Sequence, residues 1–208
     1  MGGSSSTALV KYLLSCLTSL GCCLYLFFNA LDIHVCLSAI QISTLIFSII
    51  EVAFVYSSGS NEILQLDKHN LWKVRGILWS IAQLLCCLLA IHGVILLFGA
   101  PILHGVVETF SLSLLLTVLC CGRAFVSLGP NALNCLLTAR RIGGVSEGEV
   151  RAVLVLLGAW LGALPIPLDW DRPWQTWPLT CTIGSLLGEA CANVYLLRYC
   201  GDKQQLLH

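Results

Sequence analysis

From Gly76 to Val107 the chain runs 32 residues without an Asp, Glu, Lys or Arg. Such a stretch is foreign to a water-soluble fold and suits a bilayer, whose ~30 Å hydrocarbon core takes about 20 apolar residues to cross. As one helix it would be about 48 Å long, too long for a single crossing. Gly99-Ala100-Pro101 offers a natural break, so the stretch reads as parts of two spans, about 76–98 and 102–126. Leu128-Gly129-Pro130-Asn131 ends the second, because proline cannot extend a hydrogen-bonded helix.

The same reasoning divides the rest. Uncharged residues fill the interval between Lys11 and Asp32, giving a first span over 12–31. A cleaved signal peptide would have a shorter apolar run of about 7–15 residues. A second span covers 33–56, with Glu51 close enough to its end to reach water unaided. Ser57 to Arg75 is polar and reads as a loop. Another loop covers Asn131 to Arg151, where 131–141 suits a short surface helix. A fifth span over 152–168 is completed by Pro165-Ile166-Pro167-Leu168, and a sixth covers 177–197. The expected fold is all-α: one membrane domain over 1–208, a polytopic bundle of six transmembrane helices.

Composition agrees. The chain is 57% hydrophobic and 11% charged, against about 25% charged in average soluble domains. That excludes an ordinary soluble enzyme or a disordered tail, and zero net charge leaves no footprint for nucleic acid. The 12 cysteines lie mostly inside apolar runs, where they read as small polarizable packing residues. Gly2, Cys135 and Cys200 are formal candidates for lipidation.

Orientation follows from lysine and arginine. If the segments alternate sides, ten of the 11 fall on one side and Arg172 stands alone on the other. By the positive-inside rule both termini face the cytosol and the loop 165–177 faces the lumen. Trp72 and Trp79 then fall near the cytosolic interface, and Trp170, Trp174 and Trp177 near the lumenal one, the depth that indole rings favour.

That lumenal loop is the main functional candidate. Between Leu164 and Pro178 lie four of the chain's six prolines, three tryptophans, Asp169, Asp171 and Arg172. Pro165 and Pro167 stiffen the backbone, and Arg172 suits a phosphate. The loop reads either as an interfacial anchor with an internal Asp–Arg pair or as a contact for a lipid headgroup or partner. His104 and Glu108 share a helix face, with His92 nearby; they read as buried polar contacts, with an intramembrane enzyme as the alternative. No metal site or cofactor is expected from them. Glu189 lies deep in the sixth span, where a carboxylate needs a partner. Gly158 and Gly162, and Gly184 and Gly188, are spaced for close helix packing, either within the chain or against another membrane protein.

Several segments together resemble the phosphatidylinositol-glycan biosynthesis class F family of GPI-anchor assembly. They are Phe98-Gly99-Ala100-Pro101, Glu108-Thr109-Phe110, Leu128-Gly129-Pro130-Asn131, the run Gly158 to Trp174, then Trp177-Pro178 and Cys181-Thr182-x-Gly184. Glu189 lies outside that pattern. The resemblance implies a multi-pass endoplasmic-reticulum protein with no chemistry of its own. It would stabilise larger membrane-embedded ethanolamine-phosphate transferases, which carry a lumenal metal-dependent catalytic domain. Those enzymes move ethanolamine phosphate from phosphatidylethanolamine onto mannoses of the GPI precursor, so both lipids are implied as neighbours. The alternative function is an intramembrane lipid-modifying enzyme built on His104 and Glu108.

Overall fold

The structure is a computed structural model and describes residues 3–30, 33–57, 70–103, 105–128, 147–168 and 172–205. Among these residues there are six α-helices, a single 3-10 turn and no strand. We number the helices α1 (Gly3–Phe28), α2 (Ile33–Ser57), α3 (Asn70–Leu97), α4 (Val106–Leu128), α5 (Glu147–Ala163) and α6 (Leu179–Gln205), with the 3-10 turn at Pro173–Gln175. Four of them are long and apolar enough to cross a bilayer, over Leu9–Phe28, His34–Ala53, Leu78–Leu97 and Val106–Phe125. Only helices and closed barrels satisfy the backbone in hydrocarbon. Large apolar side chains such as Leu17, Leu45, Leu89 and Phe110 are exposed on these helices. This is a membrane protein.

Ser and Thr are frequent in these helices, and the structure shows how lipid tolerates them. Thr18, Ser19, Ser38, Ser43, Ser48, Ser80, Ser113 and Thr117 each donate to the carbonyl four residues earlier, at 2.7–3.0 Å. The hydroxyl is thereby satisfied by its own helix.

Two compact units divide the chain. The first takes in residues up to Ser43 and from Val153 onward. Here α1 lies along α6, with Leu26, Val155, Leu179, Leu186 and Ala192 in the core. The second runs from Thr44 to Ala152. In it α3 packs on α4, and Leu112, Leu115, Leu116 and Leu119, spaced as one helix face, are buried with Phe47.

The break between α3 and α4 is built by glycine. Gly99 has φ +96°, the left-handed conformation favoured one residue past a helix end. Its N–H donates to Leu96 O at 3.0 Å, and the Ala100 N–H reaches Ile95 O at 3.3 Å. This paired closure satisfies two end carbonyls that lipid could not. Gly105, φ +75°, then opens α4 by accepting from the Thr109 N–H and hydroxyl, both at 3.0 Å.

Three expectations need correction. The polar stretch ending at Arg75 is not loop to its end, because α3 starts at Asn70. Arg151 is not a loop residue: α5 starts at Glu147, and Arg151 is 2% exposed. Glu51 does not reach water alone; it is 4% exposed and ion-paired. In each case charged residues continue a helix because opposite charges or the interface receive them, an outcome that hydropathy does not encode. The expected surface helix over 131–141 lies outside the described residues.

Candidate functional site

The loop rich in Pro and Trp leaves α5 through a series of tight turns. Leu164 N–H donates to Leu161 O, Ile166 N–H to Ala163 O and Leu168 N–H to Pro165 O, at 3.1–3.2 Å. Pro165 and Pro167 bring fixed φ to these turns and cannot donate themselves. Asp169, Trp170 and Asp171 lie outside the described residues. The chain resumes at Arg172, which is exposed, and enters the 3-10 turn carrying half-buried Trp174. Trp177, also half-buried, precedes Pro178 across a cis peptide. The Pro178 carbonyl then accepts the N–H and hydroxyl of Thr182, each at 3.0 Å, at the start of α6.

One side chain ties this hairpin together. Gln175 Nε2 donates to Pro165 O and to Leu168 O, both at 2.6 Å. Its Oε1 accepts the Arg172 N–H at 3.0 Å. The amide therefore uses both protons and its oxygen to close the loop that carries Pro165, Pro167, Trp174 and Trp177.

Below the hairpin the glycines bring α5 and α6 into backbone contact. A Cβ added at Gly158 would run into the Gly184 carbonyl, 2.9 Å from its carbon, and lie 3.2 Å from Gly188 Cα. One added at Gly184 would meet Gly158 and Gly162 in the same way. Cβ atoms at Gly162 and Gly188 would strike the backbones of Thr180 and Leu154. This face is thus occupied within the chain and is not open to a partner helix.

A second face of α6 is polar. Thr182, Ser185, Glu189 and Asn193 are all fully buried, and the last two meet Ser15 of α1. Ser15 Oγ donates to Glu189 Oε1 at 3.1 Å. Asn193 Nδ2 donates to Glu189 Oε1 at 2.9 Å and to Ser15 Oγ at 3.1 Å. The chain itself therefore supplies polar company for the deep carboxylate. This polar load is why α6, though 27 residues long, is not among the four helices long and apolar enough to cross a bilayer.

In the second unit, Glu108 sits half-exposed in the first turn of α4, its carboxylate beside Gly105. His104 lies outside the described residues. His92 of α3 shares a 2.8 Å hydrogen bond with Ser113 of α4 and lies edge-on to Phe110. Among the described residues no three of His, Cys, Asp and Glu gather to hold a metal ion, and the ten cysteines whose side chains are described are free thiols.

The strongest electrostatic feature of this unit is a cluster that sequence reasoning missed. Glu51 of α2 accepts Arg123 Nε at 2.7 Å and Nη2 at 3.1 Å, and Arg151 Nη1 at 3.0 Å. Glu147 pairs with Arg123 and lies 3.6 Å from Arg151 Nη2. Two carboxylates and two guanidinium groups thus alternate where α2 and α4 end and α5 begins. Four charges at the rims of apolar runs were the available signal, though nothing in their spacing pairs them. Gln175 gave no signal at all.

A family model described as "GPI biosynthesis protein family Pig-F" matches residues 5–196. The chain belongs to the Pig-F family. Among curated Pig-F relatives, the human "GPI ethanolamine phosphate transferase, stabilizing subunit" is 38% identical over 120 residues, covering 56% of this chain and 55% of the human one. The mouse protein of the same name is 38% identical over 118 residues, covering 55% and 53%. From Pyricularia oryzae, "Glycosylphosphatidylinositol anchor biosynthesis protein 11" is 40% identical over 117 residues, covering 55% and 44%. The chain spans about half the length of the curated relatives it matches. No solved structure matches it.

Proposed function

We propose that this Pig-F family member is a non-catalytic, stabilising subunit of endoplasmic-reticulum ethanolamine-phosphate transferase complexes. Its catalytic partners would add ethanolamine phosphate from phosphatidylethanolamine to mannoses of the GPI-anchor precursor. The observation that carries this reading is the family match over residues 5–196, read with the stabilising role in the printed names of its human and mouse relatives. A subunit that binds only the folded enzyme raises its stability by mass action.

The accompanying topology has six crossings, formed by one domain with both termini in the cytosol. The asymmetry of lysine and arginine supports it. On this reading α5 and α6 cross as a close-packed pair, and the hairpin 165–177 reaches the lumen. The preferred contact surface for the transferase is that hairpin: Pro165, Pro167, Asp169, Trp170, Asp171, Arg172, Trp174 and Trp177. Gln175 holds its shape. His104 and Glu108 form a secondary candidate contact, for partner or lipid. Gly158, Gly162, Gly184 and Gly188 serve helix packing inside the chain.

The test is affinity capture of the tagged full chain from mild detergent, with mass spectrometry of what comes with it. A multi-span ethanolamine-phosphate transferase is expected, and its abundance should fall when the chain is removed from cells. Capture without a transferase, together with unchanged transferase levels after removal, would overturn the proposal.

A further inference from the structure

α5 is a poor membrane helix by itself. It has 17 residues, about 25 Å of rise against a ~30 Å hydrocarbon core. Its first five carry Glu147, Glu149 and Arg151, so the uncharged helix from Ala152 to Ala163 rises only about 18 Å. Arg151 nevertheless has its side chain 2% exposed. An arginine drawn into a membrane helix is expensive unless a counter-charge meets it. The counter-charge is Glu51, itself 5% exposed at the side chain, 3.0 Å from Arg151 and shared with Arg123. Glu147, the second carboxylate of the cluster, is 37% exposed and lies farther from Arg151, at 3.6 Å.

We propose that Glu51 is a positioning residue for α5: by neutralising Arg151 it sets how deeply α5 enters the bilayer, and so decides whether the hairpin after α5 is carried across. This inference rests on the lumenal placement of the hairpin proposed above. Without Glu51, Arg151 loses the carboxylate 3.0 Å away and keeps Glu147 at 3.6 Å, half-exposed and shared with Arg123. The more weakly compensated charge then holds the start of α5 at the interface, and a helix this short cannot reach the far side. Removing the arginine instead of the carboxylate removes the penalty, because Glu51 keeps Arg123 as its partner.

The experiment inserts a flexible spacer bearing an N-glycosylation acceptor after Leu168 in the full chain, expressed in microsomes. The wild-type acceptor should be glycosylated. Glu51→Gln should reduce the glycosylated fraction to below about half, since a charge that has lost its nearest counter-charge disfavours insertion. Arg151→Leu should leave it at the wild-type level, and Glu51→Gln combined with Arg151→Leu should restore it. Full glycosylation of the Glu51→Gln chain would overturn the inference while leaving the lumenal hairpin intact. Failure of the double variant to recover would also overturn it, because the loss would then reflect packing at Glu51. An unmodified wild-type acceptor would instead remove the topology, and this inference with it.

Discussion

Gly184 leaves no room for even one methyl group. Its would-be Cβ meets backbone atoms of Gly158 and Gly162, and backbone cannot rotate away as a side chain can. Overpacking of this kind costs about 1–3 kcal/mol. Gly184→Ala is therefore expected to lower thermal stability in detergent, and Gly158→Leu to lower it further. By contrast Gly93, with no atom near its would-be Cβ, should accept alanine with no measurable loss in the same assay. Gly158→Leu is a poor probe of partner docking, since it breaks the chain's own packing first. Gln175→Ala is the more informative residue change. It leaves two hairpin carbonyls without their donors, at about 1–3 kcal/mol if fully buried and nearer 1 where water reaches them. Limited proteolysis should show faster cleavage between Leu164 and Pro178, with the rest of the chain equally resistant. The glycines were legible in the sequence because a four-residue spacing on an apolar helix has a direct geometric meaning. Gln175 was not, because its three partners come from positions up to ten residues away, brought near only by the turn itself.

At the level of elements, α6 shows how one helix serves two neighbours. Gly184 and Gly188 face α5, while Ser185, Glu189 and Asn193 lie one position further round, and Glu189 and Asn193 meet α1. Interhelical hydrogen bonds in bilayers average about 0.6 kcal/mol in double-mutant cycles. Asn193→Leu removes two side-chain contacts, to Ser15 and to Glu189, and should destabilise by about 1–2 kcal/mol on that scale. Equilibrium unfolding in mixed micelles measures it, and an unchanged midpoint would show that the polar seam contributes nothing. Apolar runs made α1 to α4 readable, and the glycine-based break after α3 was visible as Gly99-Ala100-Pro101. The start of α5 was not. Glu147, Glu149 and Arg151 look like loop charges until Glu51 and Arg123 are placed beside them. Only a tertiary arrangement turns those residues into helix.

For the whole molecule, the family assignment came from a run of residues that composition cannot explain, Gly158 to Trp174 above all, and the family match covers nearly the entire chain. Three residues at the centre of that hairpin, Asp169 to Asp171, lie outside the described residues, so sequence carries that part of the proposal. Replacing Trp174 and Trp177 together by Ala is expected to reduce transferase recovery by about tenfold, the effect of losing one or two aromatic anchors worth ~1.4 kcal/mol or more. The chain's own abundance should remain near wild type. Equal recovery would move the contact surface off the hairpin.

The hydrogen bond from Ser15 to Glu189 joins positions 174 apart. During synthesis α1 leaves the ribosome long before α6. Until α6 has emerged, the serine face of α1 waits in the bilayer without its eventual neighbour, open to substitutes and to quality control. The pairing of α1 with α6 therefore closes only once α6 is made, and a chain cut short between Leu128 and Glu189 should be recognised and degraded as an orphan even with α1 to α4 in place.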